Sequence, residues 1–198
     1  MLRAILSLLL VACLAGTTRH VAADTSGEVR VGELLRDVTM TGLNGPPRKL
    51  SEFRGKPLVI NVWASWCGPC RAEMASLERL AWLEQSGYFN VIGVSTDDFV
   101  DRAQKALAES NATISHFIDS KLVLENMLGA SHIPLTVLVD ADGRVVQKIS
   151  GARDWDSAAS RLLIDGAFRG AKPATLTRAR LTADGGRADG VLKFGAEP

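Results

Sequence analysis

The chain has 198 residues, enough for one compact domain with extensions or two small domains. Hydrophobic residues make up 46% and charged residues 23%, which excludes wholesale disorder and a polytopic membrane protein. The formal charge of +1 offers no strongly basic face for nucleic acid, and three cysteines are too few for a disulfide-stapled miniprotein.

Residues 1–23 read as an export signal. Arg3 gives the positive start, Ala4 opens an uncharged, mostly apolar run, and Val21-Ala22-Ala23 offers a small-residue cleavage site. Only 15 residues separate Arg3 from Arg19, fewer than the roughly 18 to 20 that span a bilayer comfortably. Two alternatives stand beside cleavage after Ala23. Leu10-Val11-Ala12-Cys13 resembles a bacterial lipobox that would place a lipid on Cys13, and an uncleaved signal would anchor the chain. Cleavage leaves 21 basic and 22 acidic residues, a net of −1, and two cysteines, Cys67 and Cys70. Export leads to oxidising surroundings, yet a pair this close closes only a small loop of little entropic value, so chemistry explains it better.

The mature chain alternates strand and helix signals. Residues 24–30 read as loose and 34–40 as a first strand. A turn cluster follows at Gly42, Asn44-Gly45 and Pro46-Pro47, then a short connection over 49–56. Residues 57–63 form a continuous apolar run with β-branched side chains, a strand covered on both faces. A helix is expected over 69–84, with Met74, Leu77, Leu80, Ala81 and Leu83 inward and Arg71, Glu73, Glu78 and Arg79 solvated. Next come a strand at 90–95, a helix at 100–109, a short strand at 116–118 and a helix at 121–128 ending at Gly129. A strand at 136–140 turns through Ala141-Asp142-Gly143-Arg144 into a strand at 145–149. A last helix covers 155–168, with Asp154 or Asp156 as its cap. The pattern predicts an α/β sandwich in which a mixed central sheet is flanked by helices. The domain should span 31–169, leaving 170–198 as a tail or loose hairpin.

The chemistry concentrates at Trp66-Cys67-Gly68-Pro69-Cys70, where a buried strand hands over to a helix. The spacing puts Cys67 at the helix N-terminus and Cys70 one turn later, so the two sulfurs can meet. Unsatisfied amides at a helix start carry partial positive charge and stabilise a thiolate. Cysteines at such sites have pKa values of roughly 3.5 to 7.5, against about 8.5 when free. A Cys67 thiolate would attack a substrate disulfide and Cys70 would resolve the mixed disulfide. Pro69 suits the first helical turn. A zinc site and a structural disulfide share this spacing, but zinc needs further ligands and no second cysteine pair exists, only His116 and His132.

Trp63-Ala64-Ser65-Trp66-Cys67-Gly68-Pro69-Cys70, following an apolar strand, resembles the active site of the thioredoxin superfamily. Leu50-Ser51-Glu52-Phe53-Arg54-Gly55-Lys56, Arg71-Ala72-Glu73-Met74 and Gly151-Ala152-Arg153-Asp154-Trp155-Asp156 narrow the likeness to exported TlpA/ResA/CcmG-like thiol-disulfide oxidoreductases. It covers about residues 31–167 and implies a thioredoxin-like sandwich. It also implies that Cys67 and Cys70 form a redox-active disulfide, and that Ile133-Pro134 is the loop holding a cis-proline beside it. Trp66, Gly68, Pro69, Ile133 and Pro134 would then meet the substrate. Asn61 departs from the buried acid of many thioredoxins. In this branch an acid after the central strand can replace it: Asp97 or Asp98, with Asp98 favoured by alignment as proton acceptor for the resolving thiol.

The resemblance implies a reductase of protein disulfides, with apocytochrome c as a target and a membrane electron donor of the CcdA/DsbD type. The leader points to the periplasm or cell envelope, monomer is the default in the absence of an oligomeric signal, and no cofactor, metal or nucleic-acid partner is expected. The alternative is a copper-handling protein that reduces or metallates a copper-site dithiol, since thiolates suit Cu(I). A peroxidase of the peroxiredoxin group would need threonine where Ala64 stands.

Overall fold

The computed structural model describes residues 27–83 and 87–170. The signal, Cys13 and the tail beyond 170 lie outside them.

The elements, in chain order, are β1 (Thr39–Gly42), β2 (Arg48–Lys49), a 3-10 turn (Leu50–Phe53), β3 (Leu58–Trp63), α1 (Gly68–Leu83), β4 (Asn90–Ser95), α2 (Val100–Ser110), β5 (Ser115–Ile118), α3 (Val123–Leu128), β6 (Leu135–Val139), β7 (Val145–Ser150) and α4 (Ala158–Gly170). Seven strands among the described residues form one sheet in the order β2-β1-β5-β4-β3-β6-β7. β3, β4 and β5 run parallel, while β6, β7, β1 and β2 pair antiparallel, so the sheet is mixed.

Every residue of β3 and β6 is buried, as expected for central strands covered on both faces. Ile60, Val62, Ile92, Val94 and Val137 turn to the face closed by α3 and the 3-10 turn. Val59, Val91, Leu138 and Ile149 turn to the opposite face and pack with Leu77 and Leu80 of α1 and Ile164 and Phe168 of α4. α2 contributes Ala103, Ala106 and Leu107 to a third cluster that includes Trp63, Cys67 and Cys70.

Several elements differ from expectation: α3 starts at Val123 rather than 121, and Arg48–Lys49 pair with β1 as a two-residue strand. The first strand starts at Thr39 rather than 34, because residues 34 and 35 bond elsewhere: Leu34 bridges Arg144, and the Leu35 amide donates to the Gly143 carbonyl. The last helix starts at Ala158 rather than 155. Trp155 is withdrawn to cover α1, and Ser157 Oγ accepts the Ser160 amide, so neither Asp154 nor Asp156 caps through its carboxylate.

Candidate active site

The parallel strands β3 and β4 end at one edge of the sheet, and the site is built there. After Trp63 the chain makes a tight turn in which the Cys67 amide donates to the Ala64 carbonyl. α1 then begins at Gly68 with Pro69 in its first turn, where a missing N–H is harmless. Cys67 and Cys70 form a disulfide with Cα atoms 5.3 Å apart. Cys67 is 6% exposed and Cys70 fully buried, so attack from solvent reaches Cys67 first. The Cys70 amide points at Cys67 Sγ from 3.2 Å, an N–H placed to stabilise negative charge on that sulfur.

The loop before β6 faces the disulfide. The Ile133–Pro134 bond is cis, as the resemblance implies. The Ile133 carbonyl oxygen lies 3.9 Å from Cys67 Sγ, and Pro134 is buried. Trp66 is 70% exposed, and Gly68 and Pro69 are exposed as well, so the open rim around Cys67 belongs to the motif itself. His132 is exposed and meets Ser131 Oγ. Trp63, by contrast, is fully buried in the cluster behind the two cysteines. No group of three or more His, Cys, Asp or Glu side chains converges among the described residues.

The acids are arranged differently from expectation. Asp98, the favoured proton acceptor, is exposed, whereas Asp97 is buried. The reason is alternation: Thr96 N–H bonds the Trp63 carbonyl and prolongs the β4 pairing. Asp97 therefore points to the same side as Ser95, and Asp98 points away. Asp97 accepts the Ser65 amide and the hydroxyls of Ser65 and Ser95.

Glu73 was expected to be solvated and is 3% exposed. Its carboxylate accepts Asn61 Nδ2 at 2.7 Å, the Trp155 indole N–H at 2.9 Å and the Arg153 amide at 3.0 Å. Burial raises its pKa above the usual carboxylate value, against the opposing effect of those three donors. Helical periodicity on α1 could not show this, because the cover comes from a segment about 80 residues away. Asn61 also donates to Thr136 Oγ, so the position that holds an acid in many thioredoxins here carries a carboxamide bound to one. The sequence signals are Asn61 in place of an acid and the Arg71-Ala72-Glu73-Met74 run, and neither by itself specifies that Glu73 is buried.

The profile of the redoxin family matches residues 30–163. The chain belongs to that family. Among curated proteins it is similar to the thiol-disulfide oxidoreductase ResA of Geobacillus thermodenitrificans, 28% identical over 76% of this chain and 86% of the relative. It is also similar to ResA of Geobacillus kaustophilus, 29% identical over 62% of this chain and 71% of the relative. Among solved structures, a candidate thiol:disulfide interchange protein DsbE from Chlorobium tepidum superposes with a TM-score of 0.65 at 28% identity, covering 71% of this chain and 99% of that one. These likenesses make the redoxin a TlpA/ResA/CcmG-like member of the thioredoxin superfamily, with the expected α/β fold.

Proposed function

We propose that the protein is a thiol-disulfide oxidoreductase that reduces disulfides of other proteins through Cys67 and Cys70. The observation that carries this reading is the Cys67–Cys70 disulfide at the start of α1, with Cys67 the accessible sulfur beside the cis-Pro134 loop. In the reduced protein the Cys67 thiolate attacks a substrate disulfide and expels one substrate thiolate. Cys70 then attacks Cys67 Sγ, releases the second substrate thiol and closes the disulfide seen here. Two electrons pass to the substrate, and an external dithiol must return them.

Trp66, Gly68 and Pro69 form the exposed rim against which the substrate backbone and side chains rest, and Ile133 and Pro134 form the opposite wall. Cys70 carries a proton that must leave before it can resolve the mixed disulfide. Glu73 follows it by three residues on α1, is buried like it, and has raised proton affinity. These properties fit an acceptor better than the exposed Asp98 does. The apolar leader at residues 1–23 supports a place in the cell envelope, where apocytochrome c thiols are one suitable substrate and a CcdA/DsbD-type membrane protein one suitable donor.

Insulin reduction tests the assignment. Cys67→Ser should lower the rate by more than about 1000-fold, and Cys70→Ser should accumulate mixed disulfides with substrate that gel shifts reveal. A Cys67→Ser protein that still reduces insulin would remove Cys67 as nucleophile. Direction is read separately by acid quenching and thiol tagging in intact cells. A mainly reduced pair supports a reductase, and a mainly oxidised pair supports disulfide donation.

A further inference from the structure

The chemistry above leaves one buried acid beside the motif unused. Asp97 is 2% exposed, and among the described residues no Lys, Arg or His side chain pairs with it. Its solvation is replaced by three donors: Ser65 N–H to Oδ2 at 2.8 Å, Ser65 Oγ to Oδ1 at 2.6 Å and Ser95 Oγ to Oδ2 at 2.7 Å. Ser95 Oγ in turn accepts the Asp97 amide at 3.1 Å. This is not a helix cap: α2 starts at Val100 behind Phe99, with no side-chain cap bond. The carboxylate is directed instead at the turn that carries the reactive sulfur, because Ser65 lies two residues before Cys67 and the turn closes from Cys67 N–H to Ala64.

Position and charge then act together. A buried carboxylate at the end of β4 ties the turn of residues 64–67 to a central strand, so that Trp66 and Cys67 are presented in one geometry. The same negative charge opposes the positive field of the α1 N-terminus. Thiol nucleophilicity falls as thiol pKa falls, and a strongly stabilised thiolate makes a dithiol oxidising. A counter-charge near the turn keeps the pair reducing.

We propose that Asp97 is the positioning residue of this site, fixing the Cys67 turn through Ser65 and holding the dithiol at a reducing potential. This rests on the reductase reading of the same two cysteines. The test uses Asp97→Asn, which keeps an oxygen for the Ser65 amide but removes the charge, and Ser65→Ala, which keeps the charge but removes one donor. Iodoacetamide alkylation of Cys67 is followed against pH by peptide mass, the dithiol is equilibrated with glutathione, and insulin reduction is timed.

Asp97→Asn should move the alkylation midpoint to lower pH. It should also stabilise the dithiol form about tenfold, equal to about 30 mV in potential. Ser65→Ala should leave the midpoint in place and slow insulin reduction about tenfold. An Asp97→Asn protein with unchanged midpoint and potential overturns the electrostatic role, and a Ser65→Ala protein with the wild-type rate overturns the positioning role. If Asp97→Asn does not fold, Ser65→Ala decides the positioning role, and Asp97→Ser, a smaller uncharged replacement read by the same midpoint and potential, decides the electrostatic one. Alkylation and glutathione equilibrium need no protein substrate, so failure of the reductase reading, seen as insulin reduction by Cys67→Ser, is told apart from failure of this one.

Discussion

Two buried carboxylates lie on, or bond to, the segments that carry the two cysteines, and they are held in opposite ways. Asp97 bonds within the joint between two neighbouring strand ends, to Ser65 and Ser95, and two of its three donors are hydroxyls that can rotate. Glu73 sits on α1 and gathers Asn61 from the central strand and Arg153 and Trp155 from the segment before α4, all through N–H groups that can only donate. Asp97 therefore shapes one local turn. Glu73 joins three parts of the chain distant in sequence, and its burial raises its pKa despite its donors. The same side-chain chemistry serves as a clamp in one place. In the other it is a proton-binding group buried at a junction of the fold.

The largest effect on stability should come from breaking the junction. Glu73→Ala leaves the buried Trp155 indole N–H without its acceptor and takes one of two acceptors from the buried Asn61 amide, while the part-buried Arg153 amide can turn to water. A buried orphan costs about 1 to 3 kcal/mol. The bond lost by Asn61 adds to that, so a loss of about 3 kcal/mol in urea unfolding is expected. A loss below about 1 kcal/mol would show that the segment of residues 151–157 holds without Glu73.

Glu73→Gln sharpens the same comparison through pH. Because the folded state raises the Glu73 pKa above its ordinary 4.5, the native protein binds more protons than the unfolded one between the two values. Its contribution is fully present below 4.5 and is lost as pH rises through the folded pKa. The wild type should lose stability across that window and then level off, and Glu73→Gln should lack the slope. A slope that survives the substitution would belong to another group.

A smaller effect is expected one strand further along the same row of the sheet. Asn61 of β3 pairs with Gly93 of β4, and Gly93 pairs with His116 of β5. A Cβ on Gly93 would stand 2.1 Å from His116 Nδ1, so the imidazole occupies the space that a side chain would need. That ring is buried and packs edge-on against Trp63 at 5.6 Å. Gly93→Ala should cost about 1 to 3 kcal/mol through overpacking. Adding His116→Ala should relieve part of it, giving a double mutant more stable than the sum of its parts. Additive losses would mean that the two positions do not share the space behind Trp63.

Much of this was legible in the sequence. The strand at 90–95 coincides with β4, because Val91, Ile92 and Val94 form a short apolar run between turn signals. The motif placed both cysteines at the start of α1 because strand, proline and helix period agree there. What stayed hidden depended on partners distant in the chain. Nothing local marks Glu73 as buried, since its cover is Trp155, and nothing local says that Trp155 ends outside its helix. Asp97 and Asp98 are chemically alike neighbours, and only the extension of β4 pairing beyond Ser95 separates them.

The smallest predicted effect uses a half-buried acid paired to an exposed arginine as contrast. Arg79 bonds Asp156 at 2.6 and 3.1 Å and holds its pKa down to about 2, with Asp154 bonding it as well. Asp156 thus favours the fold above its ordinary 3.8 and ceases to as pH falls through about 2. Arg79→Ala should return the Asp156 midpoint toward 3.8 by NMR titration, with little change in stability, because the pair is solvated and screened. The informative signal is Glu73, whose donors Arg153 and Trp155 precede Asp156 in the same segment. An unchanged Glu73 titration would show that the buried bonds alone hold this segment on α1. A Glu73 midpoint falling toward 4.5 would show that the surface pair keeps water out. The contrast between the buried junction and its exposed edge would then be one of degree.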